Sequence, residues 1–489
     1  MRRWLPLLLW PLALRAQLPQ GTESYRNPEP TIVAQCYTKT AGVANPCWAC
    51  HTSKNGLNHK ADWVLQQAYA FSPVGNRNHW DNLFIDRRAA VAKISDAEIS
   101  AWIAQDNYTP LRQGTKPALG FSPDLDLMRG FDSDGFAQDG SGWRALRYQP
   151  FPGVFWPSNG ATDDVFIRLP AVFGQDGQGR HSRMVLLQNY RTLEAAMSVP
   201  DTRSVALPPR YAGAADNIAV SRWRYPLGTE FLHGLRYVDV GTPDLRSRRL
   251  KELRYSRKVQ NPDESQIAIA YQREFEEKTI GWIPAFHGDA RRGLMNAFGW
   301  LYQGWIEDAE GALRPQTREE TTWCMGCHGG IGITVDSSFS FPRKLPGAAG
   351  FAVQSLRGQH DRPQAGHRDG EVLTWFSRTQ GGDEFRSNSE LLARFFPKGR
   401  LDRAAVLRAA PGGDRDLHWL LAPSRERAQA LNKSYLMLVR AQAFESGREV
   451  LLAPPKNVQR RVDNGDTGLA AKGRVYSDGR LWLESGVLR

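Results

Sequence analysis

The sequence predicts an α+β fold, with helical segments around two Cys-x-x-Cys-His motifs, a β-rich or irregular middle region, and a C-terminal helix followed by a hairpin. Three observations predict it. Apolar residues recur at helical spacing after the first motif, before the second and near the C-terminus. Between the motifs, Gly, Pro and Asp are frequent and apolar residues alternate in short runs, as strands require. With 489 residues, 41% of them hydrophobic, the chain can bury a large core or two to three domains. The texture divides it into 1–16, 17–115, 116–258, 259–400 and 401–489.

Residues 1–16 read as a signal peptide: Met1-Arg2-Arg3, an apolar run from Trp4 to Leu14, and a small-residue cleavage site at Ala16-Gln17. The mature protein is expected outside the inner membrane, in the periplasm or secreted. The apolar run is too short to span a bilayer and no later window is long enough, so a transmembrane anchor is not expected. The first cysteine, Cys36, does not follow the apolar run directly, so lipid attachment is not expected either.

Residues 17–30 are polar and contain Pro, which suits an irregular arm. Helical spacing follows the first motif at Trp63, Leu65, Ala68 and Tyr69, then at Ala89, Val91 and Ile94. Ser95 is placed to cap a helix through Ile99, Trp102 and Ile103. In the middle region, Val165-Phe166-Ile167-Arg168-Leu169 and the segment from Glu230 to Val240 read as strands. Helices are predicted over 264–278, 291–305 and 425–445, and a hairpin at Ser477-Asp478-Gly479.

The motifs are Cys47-Trp48-Ala49-Cys50-His51 and Cys324-Met325-Gly326-Cys327-His328. Two thiols on one helical turn can each add to a haem vinyl group, and the adjacent imidazole then lies under the iron. A zinc site or a disulfide pair would leave both histidines unexplained, and a thioredoxin-like dithiol would want a βαβ setting that neither segment shows. Both segments therefore resemble c-type cytochromes, which implies two covalently bound haems c, with His51 and His328 as proximal ligands and cytochrome c-like helical surroundings. The wider architecture resembles the di-haem peroxidases and rubber oxygenases, whose distal catalytic residues cannot be placed on this sequence. The expected function is electron transfer to a redox partner protein, acidic or another cytochrome; the alternative is a peroxidase-like or oxygenase-like enzyme with one open haem.

The residue opposite each iron is the discriminating one. Near the first motif stand His59 and His79; near the second, His287, Met295, His360 and His367. His59 and His287 are favoured, against the alternative that each is an ordinary surface histidine. Gly329-Gly330 would let backbone lie against a porphyrin edge, or form a turn. Cys36 is left over and reads as a packed or free thiol.

Asp132, Asp134 and Asp139, spaced with glycines, offer carboxylates to a hard cation such as Ca²⁺. The spacing departs from the EF-hand pattern, and an Asx-turn loop is the alternative. The formal charge of +12 is spread along the chain without interleaved aromatics, so nucleic acid is not an expected partner. Arg246, Arg248, Arg249 and Lys251 read as a solvated basic face.

Overall fold

The computed structural model describes residues 25–38, 46–51, 68–117, 119–197, 206–281, 284–365, 367–379, 388–449 and 451–466. The expected signal peptide, His59 and the hairpin at 477–479 lie outside the described residues.

The protein is a mixed α+β structure built on one antiparallel sheet. A short strand β1 (Ala68–Tyr69) precedes it. The sheet comprises β2 (Arg144–Leu146), β3 (Thr162–Arg168), β4 (Glu230–Val238), β5 (Arg246–Lys258), β6 (His287–Asp289), β7 (Gly293–Met295), β8 (Trp300–Glu307) and β9 (Leu313–Pro315), in the order β2-β3-β4-β5-β8-β7-β6. β7 and β9 share the outer edge of β8. The expected strands in the middle region are β3 and β4.

Both faces of the sheet are covered, which is why β4 and β8 are apolar almost throughout. On one face Leu232, Leu253, Tyr255 and Trp305 pack with Tyr108 and Trp143. On the other, Ile167, Phe231, Trp300 and Tyr302 meet Tyr190, Leu193 and Met197 of the helix Arg183–Met197, and Ile267 and Tyr271 of the helix Glu264–Ile280. The latter helix starts at a capping box, in which Asp263 accepts from the Gln266 amide while the Gln266 side chain accepts from the Asp263 amide. It ends at Gly281, whose φ of 71° is left-handed.

A further layer forms where the helix Arg425–Ala441 packs Leu431, Tyr435 and Val439 against Ile99 and Ile103 of the helix Asp96–Ala104. Both helices start where the sequence suggests, with Ser95 accepting from the Glu98 amide and Ser424 from the Arg427 amide. The N-terminal segment is tied down by the far end of the chain. β1 pairs with β10 (Gly465–Asp466), Thr38 bridges to Val458, and the Asn82 amide donates to the carbonyls of Ala443 and Gly447 at 2.8 Å.

Two expectations fail. Residues 291–305 form no helix but the strands β7 and β8; the Asn296 side chain accepts from the amides of Phe298 and Trp300 and turns the chain between them. Nor is the basic run of β5 a solvated face. Arg249 is buried and paired with Glu307 at 3.0 Å, and Lys251 is buried with its Nζ on the Gly160 carbonyl at 2.6 Å. At the end of the same strand, buried Lys258 meets Asp336 at 2.9 Å.

Candidate functional site: a cavity over the second motif

The second motif follows directly on the sheet's last strand. Thr317 and Glu320 cap the helix Arg318–Thr322 reciprocally, and Arg314 holds both Glu320 oxygens at 2.8 and 2.9 Å, which fixes the direction of the chain into Cys324. Met325–His328 continue as a helical turn, with the His328 amide on the Cys324 carbonyl at 3.1 Å. The first motif makes the same turn: the His51 amide donates to the Cys47 carbonyl at 2.7 Å. In both, one turn of backbone brings the two thiols and the imidazole together.

Cys324, Cys327 and His328 line a cavity of about 260 Å³, close to the lower end of the roughly 300–1,000 Å³ common for small-molecule sites. Its floor is one face of the sheet. Asp163 and Val165 of β3, Phe231, His233 and Leu235 of β4, Arg254 and Ser256 of β5, and Tyr302 of β8 alternate inward with the strand period of two. Cys50 of the first motif reaches the same cavity, and Cys36, Cys47, Cys50 and His51 line a smaller neighbouring one of about 80 Å³. The fold thus brings together two motifs separated by most of the sheet. Cys36 is half-buried between them, and burial, with Cys36 adding to it, pushes the Cys327 thiol up to about 12.

His328 is held from two sides. Its ring lies 5.0 Å from that of Tyr302 and 5.4 Å, edge-on, from that of Phe339, while the Tyr302 hydroxyl sits 3.5 Å from Nδ1. Burial, reinforced by Arg254 and His233, pushes its pKa down to about 3, so the ring is neutral, the form that ligates a metal. Across the floor, the His233 Nε2 lies 2.9 Å from a carboxylate oxygen of buried Asp163, and the Tyr148 hydroxyl donates to that same oxygen. Around them the charges are paired: Arg254 and Arg448 share Glu252 at 3.0 Å each, and Arg343 is paired with Glu371.

The other expected residues are placed elsewhere. His287 is exposed on the edge strand β6, away from the cavity, and Met295 stands opposite it on β7. His79 is half-buried, with Nε2 at 3.2 Å from the Val74 carbonyl. Gly330 serves close packing, because a Cβ there would lie 2.6 Å from Glu274 Cγ on the helix Glu264–Ile280. Asp132 and Asp134 both accept from Arg183 at 2.7 Å, and Asp139 accepts from the amides of Asp126 and Ser141, so a guanidinium stands between the first two carboxylates. Among the described residues no three His, Cys, Asp or Glu side chains gather as a metal ion would need, and no helix is long and apolar enough to cross a membrane. His233, Asp163 and Tyr148 were not anticipated. The available signal was a histidine at an inward position of an apolar strand.

A family model described as "-like lipoprotein" matches residues 21–118 and 113–416. An uncharacterized lipoprotein of Aquifex aeolicus (strain VF5) is 32% identical over 494 residues, covering 87% of this chain and 86% of that protein. No solved structure matches. These findings overturn the expectation of a di-haem c-type cytochrome: the matching family is one of lipoproteins, not of cytochromes, and five-residue motifs are too short to carry family membership over a chain of this length. Electron transfer and its alternative, a peroxidase-like or oxygenase-like enzyme, fall with it. The chain is an exported protein and belongs to this lipoprotein family.

Proposed function

We propose that this exported chain holds haem covalently on the periplasmic side of the inner membrane, one group at Cys47, Cys50 and His51 and a second at Cys324, Cys327 and His328. The observation that carries the reading is the shared turn: in both motifs the histidine amide donates to the carbonyl of the first cysteine, at 2.7 and 3.1 Å. The donor set of the second motif fits such a group. Two thiols and a neutral imidazole border one cavity, and its floor offers Val165, Phe231 and Leu235 to an apolar macrocycle.

The chain's own residues do the positioning. The thiols form the links, the helical turn sets the imidazole beside them, and Tyr302 and Phe339 fix the plane of the His328 ring. The bound group would supply an iron that takes further donor atoms.

The test is the intact mass of the exported protein, produced with haem-attachment machinery, together with its alkaline pyridine spectrum. Two haem masses are expected for the wild type, and one for the double variant Cys324→Ser, Cys327→Ser. A wild-type mass equal to that of the bare polypeptide would overturn the proposal.

A further inference from the structure

We infer that His233 is the second axial ligand of the haem held at Cys324, Cys327 and His328, and that Asp163 and Tyr148 are its positioning residues. This rests on the covalent haem proposed above.

The first argument is placement. His233 interrupts an inward apolar stripe on β4, between Phe231 and Leu235, where a polar ring is costly unless it has a partner. It lines the same cavity as His328. Phe231 of β4 pairs with Ser256 of β5, which pairs with Tyr302 of β8, and Tyr302 is the ring against which His328 rests. The two histidines therefore border the cavity from sites two strands apart, about 10 Å laterally at the usual strand spacing of ~4.8 Å.

The second argument is orientation. Metal-ligating histidines characteristically donate their other ring N–H to a carboxylate, which fixes the tautomer and the ring plane. His233 has that arrangement: Nε2 is 2.9 Å from Asp163, whose side chain is 3% exposed. A carboxylate only accepts, so the proton sits on Nε2 and the other nitrogen keeps its lone pair for a ligand. The Tyr148 hydroxyl holds the same carboxylate, and the Phe155 ring packs edge-on against the imidazole at 5.0 Å. Arg254, directly across from His233 on β5, is engaged by Glu252 at 3.0 Å. The charged neighbours of His233 are thus committed to each other.

The test compares full-length haem-loaded wild type with His233→Ala and His233→Met, using intact mass for haem content and low-temperature EPR and optical spectra for ligation. Both variants keep the thioether links, so two haems are expected in each. His233→Ala should lose the low-spin signal of one haem, about half of the total, gain carbon monoxide binding when reduced, and recover the signal with added imidazole. His233→Met should stay folded with an altered low-spin spectrum, and Asp163→Asn should shift the spectrum without changing haem content. Two haems with wild-type spectra in both His233 variants would overturn this inference while leaving covalent attachment standing. No haem in the wild type would instead overturn the underlying proposal.

Discussion

Replacing Lys251 by Met is expected to stabilise the protein at neutral pH. The ammonium is fully buried beside the Tyr435 ring, 4.2 Å from its centroid, and it donates to the Gly160 carbonyl at 2.6 Å. Burial drives its pKa from 10.5 down to about 7, against the opposing pull of Glu307 and Glu252. Holding the charge there costs up to about 5 kcal/mol. Met keeps the length of the side chain and its apolar packing but leaves the Gly160 carbonyl unsatisfied, at about 1–3 kcal/mol. The net gain is about 2 kcal/mol, in line with other replacements of buried charge by well-packed apolar groups. Its pH dependence is the sharper signature. The unfolded chain keeps the proton up to about 10.5 and the folded chain releases it near 7, so between these values the unfolded state binds more protons and wild-type stability climbs with pH. The variant lacks that slope, and its advantage should shrink by up to about 1.4 kcal/mol per pH unit. Urea unfolding midpoints at pH 7, 8 and 9 measure this. A variant less stable than wild type at pH 7, or an advantage that does not shrink by pH 9, would refute the reasoning.

Asp336→Ala should destabilise by about 3–5 kcal/mol, because it strands the buried Lys258 ammonium and the Tyr225 amide that share its carboxylate; adding Lys258→Met should recover much of the loss in the same denaturation assay. Failure of the double variant to recover would show that the carboxylate acts through the loop alone. Gly281→Ala should cost at least about 1–2 kcal/mol for the left-handed backbone. A further cost follows because the added Cβ would lie 2.4 Å from the Phe71 carbonyl oxygen. An unchanged thermal midpoint would contradict that geometry. Ser95→Ala should lower stability by about 1 kcal/mol through loss of the bond to the Glu98 amide, and Ser95→Asp should restore it.

What could be read in the sequence was local. The helices Glu264–Ile280 and Arg425–Ala441 carry their own start signals in Asp263, Gln266 and Ser424, and β4 shows its short apolar run directly. Residues 291–305 have apolar residues at Leu294, Phe298, Leu301 and Trp305, a spacing that imitates a helix; pairing with β5 decides the matter, and that partner lies more than forty residues upstream. Arg249 and Lys251 read as solvated because their charge is visible in the sequence, while the neighbours that cover them, Glu307 and Tyr435, are remote. The same division runs through the site. Each Cys-x-x-Cys-His motif is visible in five residues, but the far wall of the cavity is contributed by strands, so the sequence points to His287, which lies away from the cavity, and not to His233, which lines it. The motifs, in turn, say nothing of the family, which rests on the length of the chain.

The clasp between the two ends of the chain also sets an order of events. Thr38, Arg77 and Asn82, on either side of the first motif, find their partners at Val458, Arg461 and Gly447, some 360 to 420 residues later. Contacts so distant form late in folding. Until the last stretch has crossed the membrane, the segments on either side of the first motif lack these partners. Cys47 and Cys324 are each only 9% exposed once the structure closes. Under the covalent attachment proposed above, loading falls between export and the closing of this clasp.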